Sequence, residues 1–263
     1  MIAMAGYANS PRLEDGPFRS RPDGADRPTI VYRNGGDHTN GAASARPPLF
    51  SGISGGDYAA ISAAARAKEF ARGEMLYFEG DSVRQVLLLT SGFVKITQLG
   101  LGGAEVILRL GSTGDVIGAG DLFTIGRHRT TAEAFRLCRG LVWDAAAFKA
   151  LVDRFPVLHQ NMVRILDGHL LELEQRFREV ATERVGPRVA RQLMRLHEKI
   201  GLAVNGVIEI GLSREELAQM TGTTLFTISR LLSAWEARGM VRPRREAVTI
   251  CDIESLRAVS EAS

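Results

Sequence analysis

The stretch Leu212–Val241, LSREELAQMTGTTLFTISRLLSAWEARGMV, decides the fold of the C-terminal domain, and the rest of the chain can be read outward from it. Ser213 stands three residues before Glu216, a capping box in which hydroxyl and carboxylate each satisfy an amide that a first helical turn leaves unpaired. A helix therefore opens here. Leu217 and Met220 supply its inward face, Gly222 permits a turn, and either Thr223 or Thr224 can cap a second helix. In that second helix Ile228, Leu231, Leu232 and Trp235 recur at helical spacing, which leaves Leu225, Phe226, Ser229 and Arg230 on the other face. Two short helices across a glycine turn, followed by a basic hairpin, suit a unit that lays the N-terminal half of its second helix in the major groove of DNA.

A helical hairpin with a merely solvated polar face has the same periodicity, and charge separates the two readings. Between Thr223 and Arg245 the basic residues are Arg230, Arg238, Arg242, Arg244 and Arg245, against Glu236 as the one acid. The segment is far more basic than the whole chain, whose formal charge is +3. Such a local excess suits a polyphosphate: phosphate contacts supply salt-dependent affinity and base-edge contacts supply sequence preference. The DNA-contacting set expected on this reading is Ser213, Arg214, Thr223, Thr224, Leu225, Phe226, Thr227, Ser229, Arg230, Arg244 and Arg245.

With 263 residues, 45% hydrophobic and 24% charged, the chain has an ordinary globular composition and is long enough for two cores. No apolar run approaches the roughly 20 residues of a bilayer helix, and no signal peptide is legible, so no membrane partner is expected and the cytoplasm is the expected location. Cys138 and Cys251 are the only two cysteines, too few for a disulfide framework, a four-cysteine zinc site or an iron–sulfur cluster from one chain, and each reads as structural. Residues 1–48 mix Gly, Pro, Arg, Asp, Ser and Asn without apolar periodicity, which predicts a flexible tail. Ile30, Val31 and Tyr32 are the small apolar cluster through which it would otherwise dock on the folded body.

From Phe70 to Trp143 the pattern turns to short β-branched runs punctuated by Gly73, Gly80-Asp81, Ser91-Gly92, Gly102-Gly103 and Gly114-Asp115, which predicts antiparallel strands in a compact roll spanning 49–155. GFVKITQLG alternates apolar and polar side chains, and AEVILRLG does so less cleanly. A helix over 55–70, GGDYAAISAAARAKEF, is expected to precede the roll, and one over 145–156, AAAFKALVDRFP, to close it, broken by Pro156. Beyond this, Leu166, Leu170, Leu173, Phe177 and Val180 fall at alternating spacings of four and three, with charges at most other positions after Leu170. A narrow heptad seam predicts a dimerisation helix over 156–184 in a parallel homodimer, whose twofold axis would present two DNA modules, each over 185–263, to a palindromic site.

A glycine-punctuated roll, a long dimer helix and a winged helix-turn-helix, in that order, resemble the CRP/FNR superfamily of bacterial transcription regulators over about residues 53–255. RGEMLYFEGDSVRQVLLLTSGFVKI is similar to the family's opening strands, GDVIGAGDLF sits at its ligand-pocket signature, and the Leu212–Val241 stretch matches its helix-turn-helix. The resemblance implies an α+β protein: a double-stranded β-helix roll of the cyclic-nucleotide-binding type, a dimer helix and a C-terminal winged helix-turn-helix. It implies an effector pocket at Gly118, Ala119, Arg129, Thr130, Leu170, Leu173 and Glu174. Cyclic-AMP binders follow the pocket glycine with a glutamate for the ribose, where this chain has Ala119, and their adenine-contacting hydroxyl residues align with Leu173 and Glu174. A buried diol without its carboxylate loses roughly 1.5–3 kcal/mol, which speaks against cyclic AMP, while Arg129-Thr130 still matches the phosphate-binding pair. Arg129 is open to two readings, an anion anchor or a surface arginine paired with Glu133 or Asp121.

The resemblance leaves the small effector unidentified. No iron–sulfur cluster is expected, since the N-terminal cysteines of that branch are absent; a haem would draw on His128, His159 or His169, although a lone histidine more often packs or is solvated. In the recognition helix, Leu225 and Phe226 stand where members often carry charged residues, and Arg230 remains the expected reader of guanine. The function expected is an effector-switched, homodimeric DNA-binding regulator with no enzymatic step, touching RNA polymerase through surface loops such as EKIGLAVNG (198–206). A cyclic-nucleotide-responsive regulator is the alternative within that class. A cupin-like metal enzyme would need a clustered H-x-H site, whereas His38, His128, His159, His169 and His197 are scattered and no metal site is expected.

Overall fold

The structure is a computed structural model that describes residues 31–32, 46–204 and 207–262. The expectation of a flexible tail falls almost wholly outside the described residues. Within it, Val31–Tyr32 form a two-residue strand, β1, antiparallel to Leu202–Ala203 of the C-terminal domain.

A 3-10 turn, Pro48–Phe50, leads into helix α1, Gly55–Ala63, capped by Ser54, whose hydroxyl accepts from the Asp57 amide. The helix expected over 55–70 stops there. Arg66–Phe70 is strand β2 at a sheet edge, antiparallel to β9 (Cys138–Asp144). Of β2 only Phe70 is buried, so the strand carries no alternation that a sequence reading could catch; its partner overrides helical propensity.

The roll consists of two four-stranded antiparallel sheets. One has the order β2-β9-β4-β7, with β4 at Gln85–Ser91 and β7 at Val116–Ile117. The other has the order β3-β8-β5-β6, with β3 at Met75–Tyr77, β8 at Thr131–Ala134, β5 at Val94–Leu99 and β6 at Glu105–Gly111. In β5, Val94 and Ile96 point into the core as their alternation predicts. Opposite them Ile96 pairs with Arg109 but Thr97 with Ile107, so Leu108 is an extra residue in β6. That bulge explains the less clean alternation of AEVILRLG.

Helix α2, Ala119–Leu122, follows β7, and α3, Ala145–Arg154, follows β9. Trp143 and Phe148 pack with Phe50 and Leu158, and the Trp143 indole N–H donates to the Ile61 carbonyl at 2.9 Å. Pro156 both ends α3 and opens α4, Pro156–Thr182, because its fixed φ suits a first helical position. Buried Asn161 fastens α4 to the 3-10 turn by donating to the carbonyls of Leu49 and Ser51.

The C-terminal domain runs α5 (Val185–Ile200), β10 (Leu202–Val204), β11 (Val207–Ile210), α6 (Arg214–Thr221), α7 (Leu225–Ala237), β12 (Val241–Pro243), β13 (Val248–Ile250) and α8 (Ile253–Glu261). Its core holds Val189, Leu193, Leu217, Ile228, Leu232, Trp235 and Leu256, and Ile107, Leu110 and Phe135 of the roll belong to the same cluster. The two domains therefore share apolar packing.

Two charges that the heptad reading assigns to solvent turn inward at this seam. The Arg176 guanidinium, on α4, donates to the carbonyls of Ile107 and Leu108 in β6 and, at 2.8 Å, to that of Met220 in α6. Buried Glu179 takes a two-pronged ion pair from Arg195 of α5 at 2.7 Å on each oxygen, and these bonds hold its carboxyl below the usual range although burial pushes the other way. Arg188 donates to the carbonyl of Thr221 at 2.8 Å, bracing α6 from below.

Candidate functional site

The helix-turn-helix forms as the capping residues dictate. The Glu216 amide donates to Ser213 Oγ at 3.1 Å and the Ser213 amide donates to the Glu216 carboxylate at 2.8 Å. Gly222 takes φ 58°, a left-handed conformation in which any side chain would be strained. Of the two threonines it is Thr224 that caps α7, accepting from the Thr227 amide. Ile228, Leu232 and Trp235 turn into the core, while Leu225 and Phe226 are 51% and 75% exposed and Arg230 is exposed beside them in the helix. Ser213, Arg214, Thr223, Thr227 and Ser229 are half-buried. Arg244 and Arg245 are exposed in the turn between β12 and β13; Arg244 lies 3.4 Å from Glu209, and the neighbouring Glu246 pairs with Arg72 of the roll at 3.1 Å. The first turn of α7 thus offers a large apolar surface followed by one guanidinium, a composition suited to thymine methyls and a guanine edge.

In the roll, a cavity of about 400 Å³ lies between the sheet faces and α4. Gly118, Arg129, Thr130, Leu170 and Leu173 line it, as does Leu166. Ala119 and Glu174 are not among its lining residues: Ala119 is buried in the core behind it, and Glu174 is exposed on α4, where Glu172 faces the cavity instead. Gly118 has φ 87°, and a Cβ there would lie 3.1 Å from the Gln85 carbonyl oxygen and 3.3 Å from His128 Cε1. The missing side chain is what lets His128 approach.

Of the two acids that the sequence offers as partners for Arg129, Asp121 is the one it meets. Arg129 is tied to Asp121 by an Nε–Oδ1 bond of 2.7 Å, and Asp121 also accepts from the Arg129 amide. Glu133 pairs instead with Lys95. Asp115 meets both Arg109 and His169 at 3.3 Å; burial disfavours its charge, yet His169, Arg109 and the Ser112 amide together hold the carboxyl below its ordinary range. Tyr77 stands on the cavity wall with its hydroxyl raised in pKa by burial, against a hydrogen bond with Thr130 that acts the other way. Of the three histidines considered as haem ligands, His128 is buried, His169 is spent on Asp115, and His159 lies against the edge of Phe123 outside the cavity.

The stripe predicted for dimerisation is bare. Leu166, Leu170, Leu173, Phe177 and Val180 are all exposed, Phe177 by 73%. Leu166, Leu170 and Leu173 belong at once to this stripe and to the cavity lining.

Residues 67–155 match the family model of a cyclic nucleotide-binding domain, and residues 187–259 match that of a Crp-like helix-turn-helix domain. The CRP-like cAMP-activated global transcriptional regulator of Mycobacterium tuberculosis is 26% identical over 214 residues, 81% of this chain and 96% of that protein. The global nitrogen regulator of Synechococcus elongatus is 26% identical over 188 residues, 70% of this chain and 84% of that protein. The c-di-GMP-responsive global regulator CLP of Xanthomonas campestris shares the fold, with a TM-score of 0.67 at 18% identity over 75% of this chain and 99% of that one. Such relatives are regulators rather than enzymes, and with both domains matched in this order the chain belongs to the CRP/FNR family of DNA-binding transcription regulators.

Proposed function

We propose that the protein acts as a homodimer on a palindromic operator and that a small effector in the roll cavity sets its affinity for that site. The observation that carries this reading is the bare leucine stripe of α4, which is also one wall of the cavity. A second copy packed along α4 would cover that stripe, so a ligand against Leu166, Leu170 and Leu173 would bear directly on the dimer seam. An effector shifts such an equilibrium only by binding the two arrangements unequally, and a shared wall supplies that difference.

Arg129 is engaged by Asp121, and Ala119 supplies no carboxylate for a ribose, so we take the effector to be something other than cyclic AMP. A cyclic-nucleotide switch is the second reading, favoured by Arg129 and Thr130 lining the cavity. Contact with RNA polymerase and action in the cytoplasm complete the proposal. Among the described residues no helix is long and apolar enough to cross a membrane.

The test is selection from a randomised duplex pool at fixed salt, with and without cyclic AMP. A palindrome enriched equally in both arms is the expected result. Enrichment only with the nucleotide would establish the second reading, and a non-palindromic motif would overturn the dimer.

A further inference from the structure

The roll holds a second cavity, also about 400 Å³, separated from the first by a pair of rings. Tyr77 and His128 stack with centroids 3.5 Å apart and planes 6° apart. Tyr77 lines both cavities and His128 lines the second. The floor of that second cavity is apolar: Phe70, Leu76, Leu87, Ile117 and Val142, one residue from each of five strands. Its mouth carries Asp81 and Arg84. The Asp81 carboxylate already accepts from the Phe78 amide at 3.1 Å within its own turn. Arg84 is exposed and, among the described residues, forms no ion pair.

We propose that this cavity is a second ligand site, one that takes a medium-chain monocarboxylic acid. The alkyl tail replaces water over the five apolar side chains, and the carboxylate meets Arg84 at the mouth.

The dividing wall connects the two cavities. His128 is buried, its Nδ1 has no hydrogen-bond partner among the described residues, and it lies 3.8 Å from Asp121 Oδ2. A hydrogen bond needs about 3.2 Å, so a tail that pushes the stack by about 0.6 Å engages His128 with Asp121. The same carboxylate holds Arg129 at 2.7 Å. His128 faces Oδ2 whereas the Arg129 Nε–H donates to Oδ1, so one carboxylate would then join the dividing wall to the arginine of the first cavity.

Calorimetric titration of the full chain with hexanoate, octanoate and decanoate, and with 1-octanol as the uncharged probe, tests the site without DNA. Affinity is expected to rise about four-fold per added methylene, the value of burying one such group. Arg84→Gln should weaken the acids about three-fold, as for a solvent-exposed ion pair, and leave octanol unchanged. Leu76→Trp, which fills the cavity from a half-buried wall position, should abolish binding of acids and alcohol alike. If Leu76→Trp does not fold, the acid-against-alcohol contrast in Arg84→Gln decides alone. Absence of binding, or binding that neither substitution changes, overturns the proposal.

Discussion

Single side chains in this molecule answer to neighbours that the sequence keeps far apart. Arg230 stands on an exposed face, its guanidinium forms no ion pair among the described residues, and it is the proposed guanine reader. Arg230→Ala is expected to relax discrimination at one base pair by about 1–3 kcal/mol. Arg245→Ala is instead expected to weaken all sequences alike and flatten the salt dependence. Parallel binding isotherms on the selected operator and on random duplex separate these roles, and equal losses on both duplexes for Arg230→Ala would sink the division. His128 supplies a pH signature. Burial holds its imidazole below its ordinary 6.5, over the opposing pull of Asp121 and Asp81. Below 6.5 the unfolded chain takes up a proton that the folded chain refuses, so stability falls as pH drops from there toward the folded value. Urea unfolding at about pH 7.5 and about pH 5.5 should show that loss in the wild type and a smaller one in His128→Phe, which keeps the ring stack.

Elements were legible in proportion to how locally they are specified. The α6–turn–α7 unit needs only Ser213, Glu216, Gly222 and Thr224 within a dozen positions, and each does in the structure what its chemistry predicts. Ser213→Ala should accordingly cost about 1 kcal/mol, read as a lowered unfolding midpoint, while Ser213→Thr keeps most of it. Strand β2 was hidden because it pairs across some 70 positions and buries one side chain of five. The cavity was half legible: Gly118, Asp121, Arg129 and Thr130 sit in recognisable stretches, whereas Arg109 of β6 and Tyr77 of β3 reach it only through strand pairing. On α4 the heptad leucines were visible, but Arg176 and Glu179 looked like ordinary solvated charges between them. Phe177, 73% exposed and outside the cavity lining, isolates the proposed seam. Phe177→Glu should leave the fold intact and convert the protein to a monomer by sedimentation velocity; a dimer that survives it would place the interface elsewhere.

At the scale of the whole molecule, the two domains are joined by apolar packing and by polar contacts, among them one guanidinium that reaches carbonyls of both. Ile107 and Leu110 share a core with Leu217 and Met220, Gln219 donates to Glu105, and Arg176 donates hydrogen bonds to carbonyls on both sides. A guanidinium so placed has no equivalent partners once either domain moves away, and buried carbonyls left without a donor are costly. Its consequence concerns how the molecule melts. A roll and a winged helix that each possess a core could unfold as separate calorimetric units, but donors shared between them make the loss of one the loss of the other. Scanning calorimetry of the wild type should therefore trace a single endotherm, with equal calorimetric and van't Hoff enthalpies per folded unit. Arg176→Ala should resolve it into two peaks, so that one side chain decides whether heat meets one body or two.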